Sequence, residues 1–229
     1  MNPNYGKILR PVMALAAAAF LSACGSSSSV YTHTPDTAMR NAPMQAPLHA
    51  PGETEIRKVG SYTVTAVNVS VPETLRVSEA NRFYPGGDIV WREDPIGNRH
   101  EQVRTIVQTG LAEGASAFQG DREVVLDVIV TRFHALTEKA RYTVGGVHAI
   151  QFTLRIRDAA TGEIIEGPRD VVADFDGLGG RAAVAAEARG MTQKVRIQQQ
   201  LAHVIQQELG TAEGYIAQDL GFMGALNKL

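Results

Sequence analysis

Two stretches of alternating apolar and polar residues, Val124-Val-Leu-Asp-Val-Ile-Val130 and Ile150-Gln-Phe-Thr-Leu-Arg-Ile-Arg157, determine the fold. A half-buried strand repeats every two residues, so each stretch places a row of apolar side chains on one face. The rows are Val124, Leu126, Val128 and Val130 in the first stretch and Ile150, Phe152, Leu154 and Ile156 in the second. If the two strands form an antiparallel hairpin centred on Arg141, the numbers of paired residues add up to 282, and Leu126 lies opposite Ile156. A slip of one residue would turn one apolar face to solvent, so the pattern predicts this register.

The segments around this hairpin predict further strands and a helix. Residues 62–71 are β-branched and roughly alternating, which indicates a strand with a bulge near Ala66–Val67. Asn98 and Glu101 have the spacing of a capping box, so we expect a helix over 98–118. The stretch 164–175 is interrupted by Gly167-Pro168, which is typical of an edge strand or a bulge.

A second long helix is predicted after Gly177-Leu-Gly-Gly180, ending near Leu209, with an apolar stripe that starts at Val184. The resulting order β-α-β-β-β-α predicts an α+β fold. We expect a two-layer sandwich in which an antiparallel sheet carries both helices on one face. The domain is expected to span 61–210. For the tail, 211–229, docking on the domain and docking on a partner both remain open.

The N-terminus has the features of a secretory leader. Lys7 and Arg10 precede the ten-residue apolar run Val12–Leu21, which is about half the ~20 residues that a membrane-spanning helix needs. The run ends in Leu21-Ser22-Ala23-Cys24, which resembles the lipobox of bacterial lipoproteins. The resemblance implies a signal peptide over 1–23 and a covalent lipid, palmitate among its acyl chains, on Cys24, the one cysteine of the chain.

The segment 24–60 begins with this cysteine, is rich in serine and proline, and is expected to be a flexible tether. In lipoproteins of bacteria with two membranes, aspartate after the lipidated cysteine tends to signal retention at the inner membrane. Gly25 stands at that position, so the resemblance implies the periplasmic face of the outer membrane rather than the inner membrane.

The charge of the chain argues against nucleic-acid binding. The formal net charge is −2 over 229 residues, and removal of 1–23 leaves 20 basic against 24 acidic residues, a charge of −4. Binding to nucleic acid depends mostly on neutralising phosphates, so a mildly acidic chain without a basic run is a poor candidate. A single cysteine also excludes an intramolecular disulfide.

Four stretches carry a resemblance that covers most of the domain. They are Val77-Ser-Glu-Ala-Asn81, Tyr84-Pro-Gly-Gly-Asp-Ile-Val-Trp91, Phe133-His-Ala-Leu-Thr-Glu-Lys-Ala-Arg-Tyr-Thr-Val-Gly-Gly-Val-His148 and Glu187-Ala-Arg-Gly-Met-Thr-Gln-Lys-Val-Arg196. They resemble those of an uncharacterised alphaproteobacterial lipoprotein family. The topology is similar to that of auxiliary lipoproteins of ABC-type transport and outer-membrane assembly. The family has no known activity, so the resemblance transfers no catalytic residue.

The reactive residue types of the chain form no recognised catalytic motif, which favours a protein that is not an enzyme and has no cofactor besides the lipid at Cys24. The chain has no Gly-x-Ser-x-Gly motif, and its cysteine would be consumed by lipid. One alternative is a metal site, because the 282 register places His134 opposite His148, with Glu138 as a third ligand. The glycines 177–180 before a helix could hold an anion, but a chain reversal explains them at least as well.

Aromatic and charged residues near the hairpin tip and in the loop 82–92 are typical of a protein interface. The candidates for partner binding are Phe83, Tyr84, Trp91, Arg141 and Tyr142. The alternative is that Trp91 and Tyr84 cover the open end of the core. The sequence thus predicts a membrane-anchored periplasmic lipoprotein that acts as a non-catalytic, protein-binding accessory in envelope assembly or transport. The alternative function is a ligand- or metal-binding enzyme or sensor that uses His134 and His148.

Overall fold

The computed structural model describes Val59 and residues 61–221. The predicted signal peptide 1–23, Cys24, the tether apart from Val59, and residues 222–229 lie outside the described residues. The elements are β1 (Tyr62–Ser70), β2 (Ile89–Val90), α1 (Arg99–Ala115), β3 (Arg122–His134), α2 (Glu138–Arg141), β4 (Gly146–Asp158), β5 (Ile164–Val172), β6 (Phe175–Gly177), α3 (Gly180–Glu187) and α4 (Gln193–Gly210). The predicted α+β class is confirmed: the described residues form an open sheet of six strands combined with four helices.

The central pair of strands, β3 and β4, is antiparallel and has the predicted register over most of its length. Leu126 pairs with Ile156, and the 282 register holds as far as Val130. There the register shifts by one residue, and His134 pairs with Ala149 instead of His148. A bulge places an extra residue in one strand, here Thr131. The predicted pairing of His134 with His148 is therefore wrong, because it ignored this insertion.

The first strand differs in direction from the expected antiparallel sheet. β1 runs parallel to β3 because α1 carries the chain back over the sheet between them, and β2 is also parallel to the end of β3. β1 has its bulge at Thr65, close to the predicted position. The path β1-β3-β4-β5 places β5 at an edge of the sheet, as the Gly167-Pro168 interruption predicted.

The helices confirm one predicted boundary and correct another. The Asn98 side chain accepts a hydrogen bond from the Glu101 amide at 3.2 Å, so α1 begins where the capping box indicated. The predicted long helix is two helices, α3 and α4, separated by a turn in which Gly190 has a φ of +78°. Thr192 caps the start of α4. Val184, which was placed on the apolar stripe, is exposed on α3.

Helices α1 and α4 pack closely on the same face of the sheet, as predicted, in one core with the apolar face of β3 and β4. Two glycines allow this approach. A Cβ at Gly114 would lie 2.6 Å from the Cα of Ala202, and a Cβ at Gly110 would lie 2.8 Å from the carbonyl oxygen of Gln198. Within the described residues, no helix is both long and apolar enough to span a bilayer.

Candidate functional site

The loop 82–92 and the predicted hairpin tip, both rich in aromatic and charged residues, border an apolar cavity of about 320 Å³. One wall is the loop before β2, and the other is the connection between β3 and β4. The lining consists of Phe83, Tyr84, Pro85, Arg132, His134, Ala135, Leu136, Thr137, Ala140 and Val147. A smaller hollow of about 50 Å³ shares four of these residues and extends to Val144. Such a cavity is at the lower end of the size range of small-ligand sites, and mostly apolar walls are usual there.

Short hydrogen bonds hold the loop wall against the rest of the domain. The ring nitrogen Nε2 of His134 lies 2.8 Å from the carbonyl oxygen of Gly87, and the Thr137 hydroxyl donates to the carbonyl oxygen of Arg82 at 2.8 Å. Gly87 has a φ of +116°, and a Cβ there would lie 2.9 Å from the carbonyl oxygen of Arg76. The loop therefore requires glycine at this turn.

Ion pairs behind the cavity join it to the helices. Arg92 donates to Glu138 at 2.6 Å, while Arg141 donates to Glu93 at 2.8 Å. Glu93 also accepts a hydrogen bond from the amide of Gln193 at the start of α4, at 3.0 Å. Partial burial raises the pKa of Glu138, but the hydrogen bonds from Arg92 and the backbone, together with the charges of Arg92 and Arg141, outweigh burial and hold that pKa below its usual range. These groups fix the position of α2, which forms part of the cavity wall.

The polar part of the cavity wall is formed by His134 and Arg132. Burial, followed by the nearby Arg132 cation, lowers the pKa of His134. The neutral ring donates from Nε2 to the Gly87 carbonyl, which leaves Nδ1 as the acceptor 3.4 Å from the Arg132 guanidinium. The Nε of Arg132 is buried without a hydrogen-bond partner. No carboxylate in the described part of the chain forms an ion pair with this cation.

The residues predicted to bind a partner divide into an exposed and a buried group. Tyr84 is 66% exposed, and Phe83 and Tyr142 are 42% and 46% exposed. Trp91 is instead fully buried edge-on against a core phenylalanine, and its Nε1 donates to Asp94 at 2.8 Å. Of the two residues that the alternative placed over the core, Trp91 therefore covers it and Tyr84 does not. Arg141 is also buried, because it pairs with carboxylates of the domain. Neither offers a surface to a partner.

The two histidines do not form the metal site that was the alternative to a protein without a metal. His148 is fully buried against Phe175, with ring centroids 4.7 Å apart and both ring nitrogens unpartnered. Burial, followed by the cations Arg196 and Arg141, lowers the pKa of His148 to about 3. Glu138, the proposed third ligand, pairs with Arg92. Across 61–221, no three histidine, cysteine or acidic side chains cluster as a metal would require.

The glycines 177–180 allow two segments to pack closely at the end of β6. A Cβ at Gly179 would lie 2.7 Å from the Cα of Gly145, and a Cβ at Gly145 would lie 2.8 Å from the carbonyl oxygen of Gly177. The chain reversal and this close approach account for the glycines without a bound anion.

Sequence reasoning missed the cavity and the role of Arg132. Four wall residues, Ala135, Leu136, Ala140 and Val147, lie in the stretch that the hairpin pattern assigns to a surface connection. Their apolar character in a supposed surface connection is the signal that could have revealed an interior wall. The environment of Arg132 depends on the bulge at Thr131, which the 282 register did not include.

None of the curated proteins matches the chain. Among solved structures, the chain is similar to a candidate lipoprotein from Caulobacter crescentus CB15, with 18% identity, coverage of 66% of this chain and 88% of that one, and a TM-score of 0.31. It is also similar to a Xanthomonas campestris protein of the DUF330 family, with 12% identity, coverage of 66% and 82%, and a TM-score of 0.38.

The family comparison covers the whole α+β domain. Residues 62–225, from the first residue of β1 to beyond α4, match the model of a family of unknown function, DUF6778. The chain belongs to this family, DUF6778.

Proposed function

We propose that this member of DUF6778 is an alphaproteobacterial envelope lipoprotein that acts as a non-catalytic accessory in envelope assembly or transport. In this proposal, the lipid on Cys24 anchors the protein at the periplasmic face of the outer membrane. The surface of the domain binds an envelope protein. The observation that carries the proposal is the exposure of Phe83 and Tyr84 at the cavity and of Tyr142 at the end of α2.

The sequence 1–60 supports the anchor. Each methylene of an acyl chain in the membrane contributes about 0.8 kcal/mol, so two or three chains on Cys24 would hold the protein firmly. A flexible tether of 36 residues has a root-mean-square span of about 30–36 Å, and prolines extend it further. The domain would therefore reach a partner some distance from the membrane surface.

The charges beside the exposed aromatic residues support a particular kind of partner. Arg82 and Lys139 are both exposed next to Phe83, and the Lys139 ammonium lies 4.7 Å from the centre of the Phe83 ring. Aromatic residues and arginine are enriched at interfaces, while complementary charge guides association. This surface fits a protein that presents apolar side chains next to carboxylates.

The proposal that the protein is not an enzyme rests on the contacts of the three residues considered as metal ligands. His134 is held by the Gly87 carbonyl, and Glu138 is held by Arg92. His148 is enclosed in the core. A general base must reach the proton that it removes, and these groups are committed to holding the fold.

Photo-crosslinking in cells tests the partner surface. A photoreactive residue placed at Tyr84 or Tyr142 of the full chain is expected to capture the same protein, whereas one at Glu113, exposed on α1, captures none. Lys139→Glu should abolish the capture. The matched control is Arg122→Glu, at the other end of β3, because the 13 residues of that strand span about 40 Å. Capture from Glu113 alone, or capture unaffected by Lys139→Glu, would contradict the proposed surface.

A further inference from the structure

We propose that the cavity between the loop before β2 and the β3–β4 connection binds one aliphatic chain of an anionic amphiphile. The chain would lie among the apolar wall residues, and the anionic head would lie at Arg132. This site depends on neither the anchor nor the protein partner proposed above. The ligand chemistry is a fatty carboxylate or an acyl lipid with a phosphate head.

The apolar walls carry the first part of the argument. Leu136, Ala140 and Val147 are buried within the fold, yet they border an open volume of about 320 Å³. A cleft with mostly apolar walls is the usual form of a small-ligand site. Phe83 and Tyr84 form the outer wall of this space and of the hollow next to it. A flexible chain of methylene groups matches such walls, because it requires no hydrogen bonds.

The cation at the wall carries the second part. Arg132 is partly buried, its Nε lacks a hydrogen-bond partner, and no described carboxylate neutralises it. The neighbouring His134 stays neutral, and its Nδ1 accepts from the guanidinium, which orients it. Hydrogen bonds between a guanidinium and a carboxylate or phosphate are among the strongest in proteins. An anionic head would therefore pair with a guanidinium that no described carboxylate neutralises.

The contrast with the other arginines of this region makes Arg132 distinctive. Arg92 and Arg141 are also partly or largely buried, but each pairs with carboxylates of the domain. The fold thus neutralises the cations behind the cavity and leaves unpaired the one that lines it. A bound anionic ligand would give Arg132 the ion pair that carboxylates of the domain give to Arg92 and Arg141.

Calorimetric titration tests the site with the full chain carrying Cys24→Ser, purified without detergent. The probes are octanoate, decanoate, dodecanoate and tetradecanoate, each below its critical micelle concentration. Each added methylene should lower the Kd, by up to about fourfold per group, until the cavity is full. Dodecanol, which lacks the anion, should bind at least about tenfold more weakly than dodecanoate.

Matched variants separate the head contact from the chain contact. Arg132→Gln should weaken dodecanoate binding about tenfold and leave dodecanol binding unchanged, whereas Arg122→Gln, on the same strand, should change neither. Ala140→Phe should abolish both by filling the cavity, and its thermal unfolding shows whether it folds. If Ala140→Phe does not fold, Arg132→Gln alone decides. Equal affinity for octanoate and tetradecanoate, no binding at all, or unchanged dodecanoate binding by Arg132→Gln would each overturn the proposal.

A parallel titration with lyso-phosphatidylglycerol distinguishes the two sources of the ligand. Tighter binding of this lipid than of tetradecanoate identifies a membrane lipid as the source, and binding of the carboxylates alone identifies free fatty acids. Both results support the site, whereas failure of all these probes would remove it and leave the crosslinking test of the partner surface unaffected.

Discussion

Replacing His148 should change how the stability of the domain depends on pH. The side chain is fully buried against Phe175, and its two ring nitrogens have no hydrogen-bond partner. Arg141 on α2 and Arg196 on α4 face it, and Glu187 on α3 lines the same small cavity. The fold therefore holds this ring in its neutral form. His148→Phe keeps an aromatic ring at the position and removes the titrating group.

The two pKa values set the size of the effect. In the unfolded chain the pKa of a histidine is about 6.5, and in the fold the pKa of His148 falls to about 3. Below pH 6.5 the unfolded chain takes up a proton that the folded chain does not, so the free energy of unfolding falls as the pH falls. The slope approaches 1.4 kcal/mol for each pH unit, and the loss ends near pH 3. Between pH 7 and pH 5 the wild-type chain should lose roughly 2 kcal/mol through this residue.

Urea unfolding of the full chain carrying Cys24→Ser, at pH 7 and at pH 5, measures this difference with and without His148→Phe. Burial also lowers the pKa of His134, so both proteins lose stability on acidification, and the difference between their slopes isolates His148. Any packing strain from the larger ring is present at both pH values and cancels in that difference. Equal slopes for the two proteins would refute the buried neutral histidine and, with it, the packing of β4 against β6.

Three further changes test the packing, a helix cap and the anchor. Gly114→Ala should lower the free energy of unfolding by about 1–3 kcal/mol in urea, because its Cβ would press on Ala202, whereas Gly86→Ala, with nothing within 4 Å, should change it little. Thr192→Ala should cost about 1 kcal/mol by removing the cap of α4, and an unchanged urea midpoint would contradict that cap. Cys24→Ser should abolish incorporation of labelled palmitate in cells, and label retained by this variant would contradict the lipid site.

The parts of the fold that the sequence predicted correctly depend on short-range patterns. The alternation in β3 and β4 predicted their pairing as far as Val130, and Asn98 with Glu101 predicted the start of α1. Each of these patterns relates residues through one local geometry, such as a strand face or a helix cap. The direction of β1 was predicted wrongly because it depends on where α1 returns the chain, which no pattern within β1 encodes.

Residues between α3 and α4 carry local signals for a helix end and a new start, but the apolar periodicity that runs across them predicted one continuous helix. Gly190 takes a positive φ there, and Thr192 stands three residues before Val195, whose amide it caps. The predicted apolar stripe runs from Val184 across this turn, but Val184 is exposed. A start signal inside a long helical pattern therefore deserves the same weight as one at its beginning.

The candidate site depends on one bulge residue of β3 that has no partner in the pairing of β3 with β4. The buried apolar residues of β3 occupy even-numbered positions through Val130, but the next buried apolar residue, Phe133, is odd-numbered and lies in the core. This change of parity requires an inserted residue, which is Thr131. Without the insertion, Arg132 would occupy the core face, where an unpaired cation is strongly unfavourable. The bulge instead buries Phe133, places Arg132 at the cavity and shifts His134 away from His148. The same insertion therefore removes the histidine pair of the alternative metal site and creates the site that we propose for an anionic amphiphile.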